Sequence, residues 1–330
     1  MTKNKKIIIW SIVCFVLLTL FVLGTIFDLQ ISKALASLTS NQYLSLNTFA
    51  IIGEIFGENI LYILLMCALS IIALKVVKSP YKKKWINYLI LVFSLLVSLL
   101  IGMYLLNNTL NSVLDYTDIN LEDYSIIRVF LILIISGIIN FLIFILFNKL
   151  SVKNINNLFW WAVLVIIVGA VSNLAVQILK HIFDRTRFRA MVFVEDLEYT
   201  FYSPWYKINK LKFDSVSPFA EDFFKSFPSG HTCAAASIFT LVTLPLFIKK
   251  FDNRKSKIIL WTISISYTIL VALSRIIAGA HFFTDVFVAG IITFICVIAT
   301  TLIFQKIKLI KTEEKFESKT TINQKKGTKN

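Results

Sequence analysis

Three short segments of the sequence carry residue types that could bind and transfer a phosphoryl group. The first is a cluster of cations that follows an apolar run and contains Lys180, Arg185, Arg187 and Arg189. Cations packed in this way suit the oxygens of a phosphate ester, and they equally suit solvated contacts with lipid headgroups. The cluster alone therefore leaves a phosphate site and a headgroup-contacting surface both open.

The second segment reads Ser-Phe-Pro-Ser-Gly-His over residues 226–231 and opens another apolar run. Proline is favoured in the first turn of a helix, and the free N–H groups of a helix start bind anions. A glycine lets a ligand approach the backbone closely. We therefore predict that Ser229 and Gly230 help to bind a phosphate that faces His231.

The third segment places Ser274 and Arg275 seven and six positions before His281, with Asp285 four residues after the histidine. Residues spaced i and i+4 share one face of a helix, provided that the helix has begun at the first of them. A carboxylate beside an imidazole sets its tautomer and raises its nucleophilicity. This segment therefore predicts a nucleophilic His281 that Asp285 orients, beside a cation.

The composition places these segments in a membrane protein. Of the 330 residues, 57% are hydrophobic and 16% are charged, whereas soluble domains contain about 45–50% and about 25%. A soluble or disordered chain is thereby excluded. Eight apolar stretches have, or nearly have, the length of a membrane span: Ile7–Phe27, Asn59–Val77, Trp85–Leu106, Val129–Phe147, Leu158–Leu179, Phe227–Ile248, Ile258–Ser274 and Val286–Phe304. Because such runs must be helical in a bilayer, we predict an all-α, polytopic bundle of about eight transmembrane helices.

The distribution of basic residues predicts the orientation. With the N-terminus in the cytoplasm, roughly two thirds of the 34 lysines and arginines fall on the cytoplasmic side. Both termini are then cytoplasmic, and the first span is expected to stay uncleaved because it is longer than a signal-peptide core. All three motif segments lie on the extracytoplasmic face. The stretch Asp28–Glu58, also outside, is partly amphipathic and is expected near the membrane interface.

Two other features of the composition are less informative. The net charge of +15 does not indicate nucleic-acid binding, because the basic residues cluster between the apolar runs. Four cysteines, Cys14, Cys67, Cys233 and Cys296, each lie within an apolar run and are expected to be buried thiols.

Taken together, the three segments closely resemble the signature of the type 2 phosphatidic acid phosphatase superfamily. Its parts here are Lys180 with Arg187, then Pro-Ser-Gly-His over 228–231, then Ser274-Arg275, His281 and Asp285. The superfamily includes lipid phosphate phosphatases and bacterial undecaprenyl-diphosphate phosphatases. One departure is Phe188, which stands where the family usually has a proline; Arg185 or Arg189 is therefore a possible substitute for Arg187.

The resemblance implies a role for each of these residues. His281 would attack phosphorus and form a phosphohistidine, Asp285 would orient it, and His231 would protonate the leaving oxygen and then activate water. The phosphate oxygens would be held by five further residues: Lys180, Arg187, Ser229, Gly230 and Arg275. The cations and N–H groups supply the positive field that the transition state needs, so no metal and no other cofactor is expected.

The resemblance also implies a division of the chain. Members of the family commonly have six core spans, so Ile7–Phe27 and Asn59–Val77 are interpreted as additional. We predict a two-span extension over residues 1–84, a membrane phosphatase core over 85–305 with its motifs within 180–285, and a polar cytoplasmic tail over 306–330.

The sequence therefore predicts an integral membrane phosphatase acting on a lipid phosphate or diphosphate at the outer face. Its partners are the bilayer and that lipid, and no nucleic acid. A lipid phosphotransferase would use the same nucleophile and is not separated from a hydrolase by the sequence. A lipid transporter or flippase is disfavoured, because its charges would lie near the midplane and its halves would repeat.

Overall fold

The fold was analysed in a computed structural model, which describes residues 3–38, 42–117, 119, 125–194, 201 and 222–307. These residues form helices and connecting segments, and no β-strand occurs among them. The α-helices are α1 (Lys3–Leu35), α2 (Thr48–Phe56), α3 (Asn59–Lys78), α4 (Lys84–Leu114), α5 (Ser125–Asn148), α6 (Val152–Phe183), α7 (Phe188–Phe193), α8 (Gly230–Ala236), α9 (Arg254–Ile277) and α10 (Phe283–Lys306). Two 3-10 helices, Ser237–Leu246 and Lys249–Phe251, lie between α8 and α9.

Seven segments within the described residues are long and apolar enough to cross a membrane. They are Ser11–Leu35, Thr48–Lys78, Lys84–Leu114, Ser125–Asn148, Val152–Phe193, Arg254–Ile277 and Phe283–Lys306. Much of their apolar surface faces outward, as on α5, where Phe130, Phe141 and Leu142 are exposed. An outward apolar surface of this extent suits contact with lipid. The protein is a multi-pass membrane helix bundle, which confirms the predicted fold class.

The remaining predicted span, Phe227–Ile248, takes a different form. Here α8 ends after seven residues, and the next ten continue as a 3-10 helix that contains Pro245. A 3-10 helix rises about 2.0 Å per residue against about 1.5 Å in an α-helix. The two helices together therefore extend about 30 Å, which is the thickness of the hydrocarbon core.

The main hydrophobic core joins the predicted N-terminal extension to the rest of the bundle. Leu64, Ala68 and Ile71 of α3 pack with Trp161 and Val165 of α6 in one buried cluster. The indole Nε1 of Trp161 donates to the carbonyl oxygen of Thr240, at 3.0 Å, and so ties α6 to the 3-10 helix. Helix α3 is thus part of the bundle that holds the motif segments.

Helix α2 arises from the stretch that the sequence places at the membrane interface, and it packs against α9 instead. Asn47 caps its start, with Oδ1 accepting from the backbone N–H groups of Phe49 and Ala50 at 3.0 and 3.2 Å. A Cβ added to Gly53 would stand 1.8 Å from Oγ of Ser274, so only glycine permits this approach. The contact brings the residue after Gly53 beside Arg275 at the end of α9.

Candidate active site

His281 lies in the loop between α9 and α10, with 1% of its surface exposed. Its Nδ1 is 2.6 Å from the carbonyl oxygen of Ser226, which can only accept, so Nδ1 carries the proton. In the neutral ring Nε2 then holds a lone pair. Burial lowers the pKa of His281 to about 3, and the charge of Arg187 adds to the lowering. The imidazole is therefore an uncharged nucleophile at neutral pH.

Asp285 contacts His281 mainly through Ser226 rather than by a direct hydrogen bond. Because α10 begins at Phe283, His281 precedes the helix and the pair does not share a helix face. Oδ2 of Asp285 lies 3.9 Å from Nδ1 of His281. The same oxygen accepts from Oγ of Ser226 at 2.5 Å and from the backbone N–H of Phe282 at 2.8 Å. The carboxylate thus fixes the residue whose carbonyl sets the histidine tautomer.

Arg185 contacts two carboxylates that lie far apart along the chain. Its Nη1 lies 2.5 Å from Oδ1 of Asp285, and its Nη2 lies 2.8 Å from Oδ2 of Asp28 in α1. The guanidinium also stacks over the ring of Phe282, 4.1 Å from the centroid. Sequence reasoning missed this role because it placed Asp28 just beyond the first apolar run.

Arg187 and Arg189 share one carboxylate, that of Asp222. Nη2 of Arg187 lies 2.8 Å from Oδ1 of Asp222, and Nη2 of Arg189 lies 2.6 Å from Oδ2. These two guanidinium groups hold the pKa of Asp222 well below its usual range despite its burial. Arg187 also reaches toward the histidine loop, with Nη1 3.4 Å from the carbonyl oxygen of Ala280.

The departure at Phe188 has a local explanation. Arg187 is the N-cap of α7 and Phe188 is its first helical residue. Proline is well tolerated at that position, because its missing N–H has no partner within the helix. Phenylalanine also fits there, and the ring of Phe188 packs edge-on against Phe282, with 6.1 Å between centroids.

Arg275 is paired with a residue outside the predicted motifs, Glu54 of α2. Nη1 of Arg275 lies 3.1 Å from Oε2 of Glu54, and Nη2 donates to Oε1 at 3.2 Å. Arg189 also approaches Glu54, with Nη1 3.6 Å from Oε2. The buried Nε atoms of Arg275 and Arg189 have no hydrogen-bond acceptor among the described residues. Both guanidinium groups can therefore still donate to a ligand.

His231 lies between two oxygens of the same turn. Its Nδ1 is 3.1 Å from Oε1 of Glu58, and its Nε2 is 3.1 Å from the carbonyl oxygen of Glu54. Both oxygens are acceptors, so both contacts are hydrogen bonds only when the imidazole carries two protons. With 21% of its side chain exposed, His231 is more accessible than His281. The neutral ring can donate to one of these oxygens, and the protonated ring to both.

The turn before His231 is organised around Ser229, which caps α8. Its Oγ accepts from the backbone N–H of Thr232 at 3.3 Å, and its own N–H donates to the carbonyl oxygen of Asp285 at 3.1 Å. Pro228 precedes the cap rather than lying in the first turn. A Cβ on Gly230 would stand 3.4 Å from Nζ of Lys180, so the glycine backbone faces that ammonium group.

The contacts described place five of the eight residues named from the motifs in two groups. His281, Asp285 and Ser229 meet around Ser226, whereas His231 and Arg275 meet around Glu54. No cluster of three or more histidine, cysteine, aspartate or glutamate side chains suited to a metal ion occurs within the described ranges.

Residues 157–309 match the family model of the PAP2 superfamily. This part of the chain is similar to the PAP2 superfamily. No curated protein and no solved structure gives a significant match to the chain. The PAP2 region runs from within the first turns of α6 to just beyond α10 and contains every motif residue from Lys180 to Asp285.

Three carboxylates of the site come from helices that precede the PAP2 region. They are Asp28 of α1, Glu54 of α2 and Glu58 at the start of α3. Sequence reasoning named none of them, because each lies far along the chain from the motif it contacts. Asp222, within the PAP2 region, was missed because nothing in its spacing connects it to Arg187.

Proposed function

We propose that this protein hydrolyses a lipid phosphate or diphosphate at the outer membrane face through a phosphohistidine intermediate. The observation that carries the proposal is the state of His281. Its proton is on Nδ1, which leaves the lone pair on Nε2, and the charges of Arg187 and Arg275 act on the ring. The similarity of residues 157–309 to the PAP2 superfamily supports a phosphatase, and the apolar helices support a membrane-bound substrate.

In the first step, Nε2 of His281 attacks phosphorus and the bond to the leaving oxygen breaks. His231, protonated on both nitrogens, gives that oxygen a proton, and the lipid alcohol or monophosphate departs. Lys180, Arg187 and Arg275 stabilise the charge on the non-bridging oxygens, together with the turn at Ser229 and Gly230. Asp285 holds the loop through Ser226, so that the ring keeps its tautomer.

In the second step, His231 is neutral and accepts a proton from water as the water attacks phosphorus. The phosphorus–nitrogen bond breaks, inorganic phosphate is released, and both histidines return to their starting states. Because the cations provide the positive field, the proposal requires no metal. If an alcohol replaces water in this step, the same residues carry out phosphotransfer.

The proposal is tested with detergent-purified protein in EDTA, by measuring phosphate release from phosphatidic acid, phosphatidylglycerophosphate, undecaprenyl diphosphate and a soluble phosphomonoester. His281→Asn is expected to lower release at least about a thousandfold, because the nucleophile is lost. The matched control is His181→Asn, which changes an exposed histidine at the end of α6.

A second readout identifies the intermediate directly. A substrate labelled on the transferred phosphorus is expected to leave acid-labile, base-stable label on the wild type and on His181→Asn, and none on His281→Asn. Equal release by wild type and His281→Asn would remove His281 as the nucleophile. Release only when an alcohol acceptor is added would identify a transferase.

A further inference from the structure

The guanidinium groups that the site offers to a phosphate are already paired with carboxylates of the chain. Arg187 is paired with Asp222, and Arg275 with Glu54. A dianionic phosphate that binds these groups must therefore compete with the protein's own anions. Of the two carboxylates, that of Glu54 is the more enclosed, with 16% of the side chain exposed against 33% for Asp222.

The contacts of Glu54 resemble those that a phosphate would make. Nη2 of Arg275 donates to Oε1, and Nη1 lies 3.1 Å from Oε2 without a hydrogen bond, so the guanidinium group faces the carboxylate as it would face a phosphate. Oε2 also accepts from the hydroxyl of Tyr116 at 2.9 Å and lies 3.6 Å from Arg189. Two cations and a hydroxyl thus converge on one anion.

The backbone of Glu54 is held in place, but its carboxylate can move away from Arg275. The contact of Gly53 with Ser274 and the hydrogen bond from Tyr267 to the carbonyl oxygen of Phe56, at 3.2 Å, hold α2 on α9. The carboxylate, at the end of a flexible side chain, can turn away by a change of rotamer. Nε of Arg275 is meanwhile available to an incoming oxygen.

We propose that Glu54 is an intramolecular competitor for the phosphate group at Arg275 and thereby sets the affinity of the site for phosphate. This inference rests on the proposed function and extends it to a residue outside the PAP2 region. When a substrate phosphate arrives, it takes Arg275 from Glu54. After hydrolysis, the return of Glu54 to Arg275 favours the release of inorganic phosphate.

The experiment measures the binding of inorganic phosphate to the full-length protein in detergent, by calorimetry and by the shift in Tm. The variants are Glu54→Gln, which keeps the shape and removes the charge, and Glu54→Asp, which keeps the charge. Asp252→Asn removes a charge from an exposed ion pair with Lys257 and serves as the matched control.

We expect Glu54→Gln to bind phosphate at least about tenfold more tightly than the wild type, which corresponds to about 1.4 kcal/mol. Its Tm without phosphate should be lower, because Arg275 loses its partner, and phosphate should raise that Tm more than it raises the wild-type value. In assays, KM and the Ki for phosphate should fall together. Glu54→Asp and Asp252→Asn should stay near the wild type.

Unchanged or weaker phosphate binding by folded Glu54→Gln would overturn the inference, since Glu54 would then only hold Arg275 in place. If the wild type still hydrolyses a lipid phosphate, the proposed function survives that result. Folded protein that neither binds phosphate in any variant nor releases it would overturn both. Tighter binding by Glu54→Gln in a protein without hydrolase activity would support the competitor and reject the hydrolase.

Discussion

Arg185 and Asp285 form a fully buried ion pair, in which Nη1 lies 2.5 Å from Oδ1. The other amino group of Arg185 lies 2.8 Å from Asp28 in α1. Asp285 accepts a hydrogen bond from Oγ of Ser226, and the carbonyl oxygen of Ser226 accepts one from Nδ1 of His281. A continuous series of charged and polar contacts therefore connects the first helix of the chain to the candidate nucleophile.

The first prediction concerns Asp28. Replacing it with asparagine removes one carboxylate partner of Arg185 and loosens Asp285, so His281 is held less firmly. We expect Asp28→Asn to lower kcat at least about tenfold with little change in KM, and to lower Tm because a buried charge loses a partner. Steady-state kinetics and thermal unfolding check this. Asp252→Asn again provides the control, and a wild-type kcat in folded Asp28→Asn would show that α1 does not influence the chemistry.

The second prediction concerns the protonation of His281. Because its pKa lies near 3 in the fold and near 6.5 in a free side chain, it should remain neutral from pH 8 to pH 5. With only three histidines in the chain, ¹⁵N-histidine NMR can follow each ring, and His281→Asn assigns the signal. We expect one signal with protonated Nδ1 that does not titrate in this range.

The same shift has a consequence for stability. The unfolded chain binds this proton near pH 6.5 and the folded chain only near pH 3. The contribution of His281 to the free energy of unfolding should therefore fall as the pH drops through this window, and stay constant above it. In His281→Asn this part of the pH dependence should be absent. A His281 signal that titrates near pH 6.5 would contradict both predictions.

The third prediction separates the roles of the two histidines by the leaving group. His231→Asn should slow hydrolysis of a lipid phosphate by roughly a hundredfold or more, because the alkoxide must leave without a proton. With p-nitrophenyl phosphate, whose leaving group needs no proton, the loss in the first step should be much smaller. Measuring kcat/KM for both substrates tests this, and equal losses would argue against His231 as the acid.

Glu58→Gln should also lower kcat/KM more for the lipid phosphate than for p-nitrophenyl phosphate, but by a smaller factor than His231→Asn. Its carboxylate lies 3.1 Å from Nδ1 of His231 and favours the doubly protonated ring. The pH optimum for the lipid substrate should shift downward, since a lower pH is needed to keep His231 protonated without the negative charge. An unchanged pH profile would limit Glu58 to a structural role.

The fourth prediction concerns the orientation of the protein in the membrane. Cysteines introduced as Thr117→Cys and Asp252→Cys would lie at exposed positions, one after α4 and one before α9. If the motif face is extracytoplasmic, a membrane-impermeant maleimide applied to intact cells should label Thr117→Cys and spare Asp252→Cys. Permeabilised cells should give labelling at both. The opposite pattern would place the site in the cytoplasm.

The fold class and the PAP2 region were both predictable from the sequence, because apolar runs and motif spacings are local patterns. The form of the sixth span was not. Its composition specifies an apolar segment but does not distinguish an α-helix from the 3-10 helix of Ser237–Leu246. The predicted division at residues 84 and 305 remains a prediction, although α3 packs directly on α6.

The candidate site was predictable in its residues but not in their pairings. Lys180, His231 and His281 could be named from residue type and spacing. The partners of Arg275 and Arg185 could not be named, because Glu54 and Asp28 lie 221 and 157 positions away along the chain. Contacts at such separations arise only when the helices pack, and one sequence holds no spacing rule for them.

The contact of Gly53 with Ser274 holds α2 on α9, and it therefore affects whether the PAP2 region can fold without the helices that precede it. The PAP2 region alone would retain both histidines, but Arg185 would lose Asp28 and Arg275 would lose Glu54. A buried guanidinium group that loses a counterion destabilises the fold. We therefore do not expect the start of the family match at residue 157 to be a boundary of folding: in this protein the ion pairs of the motif region depend on helices that precede the match.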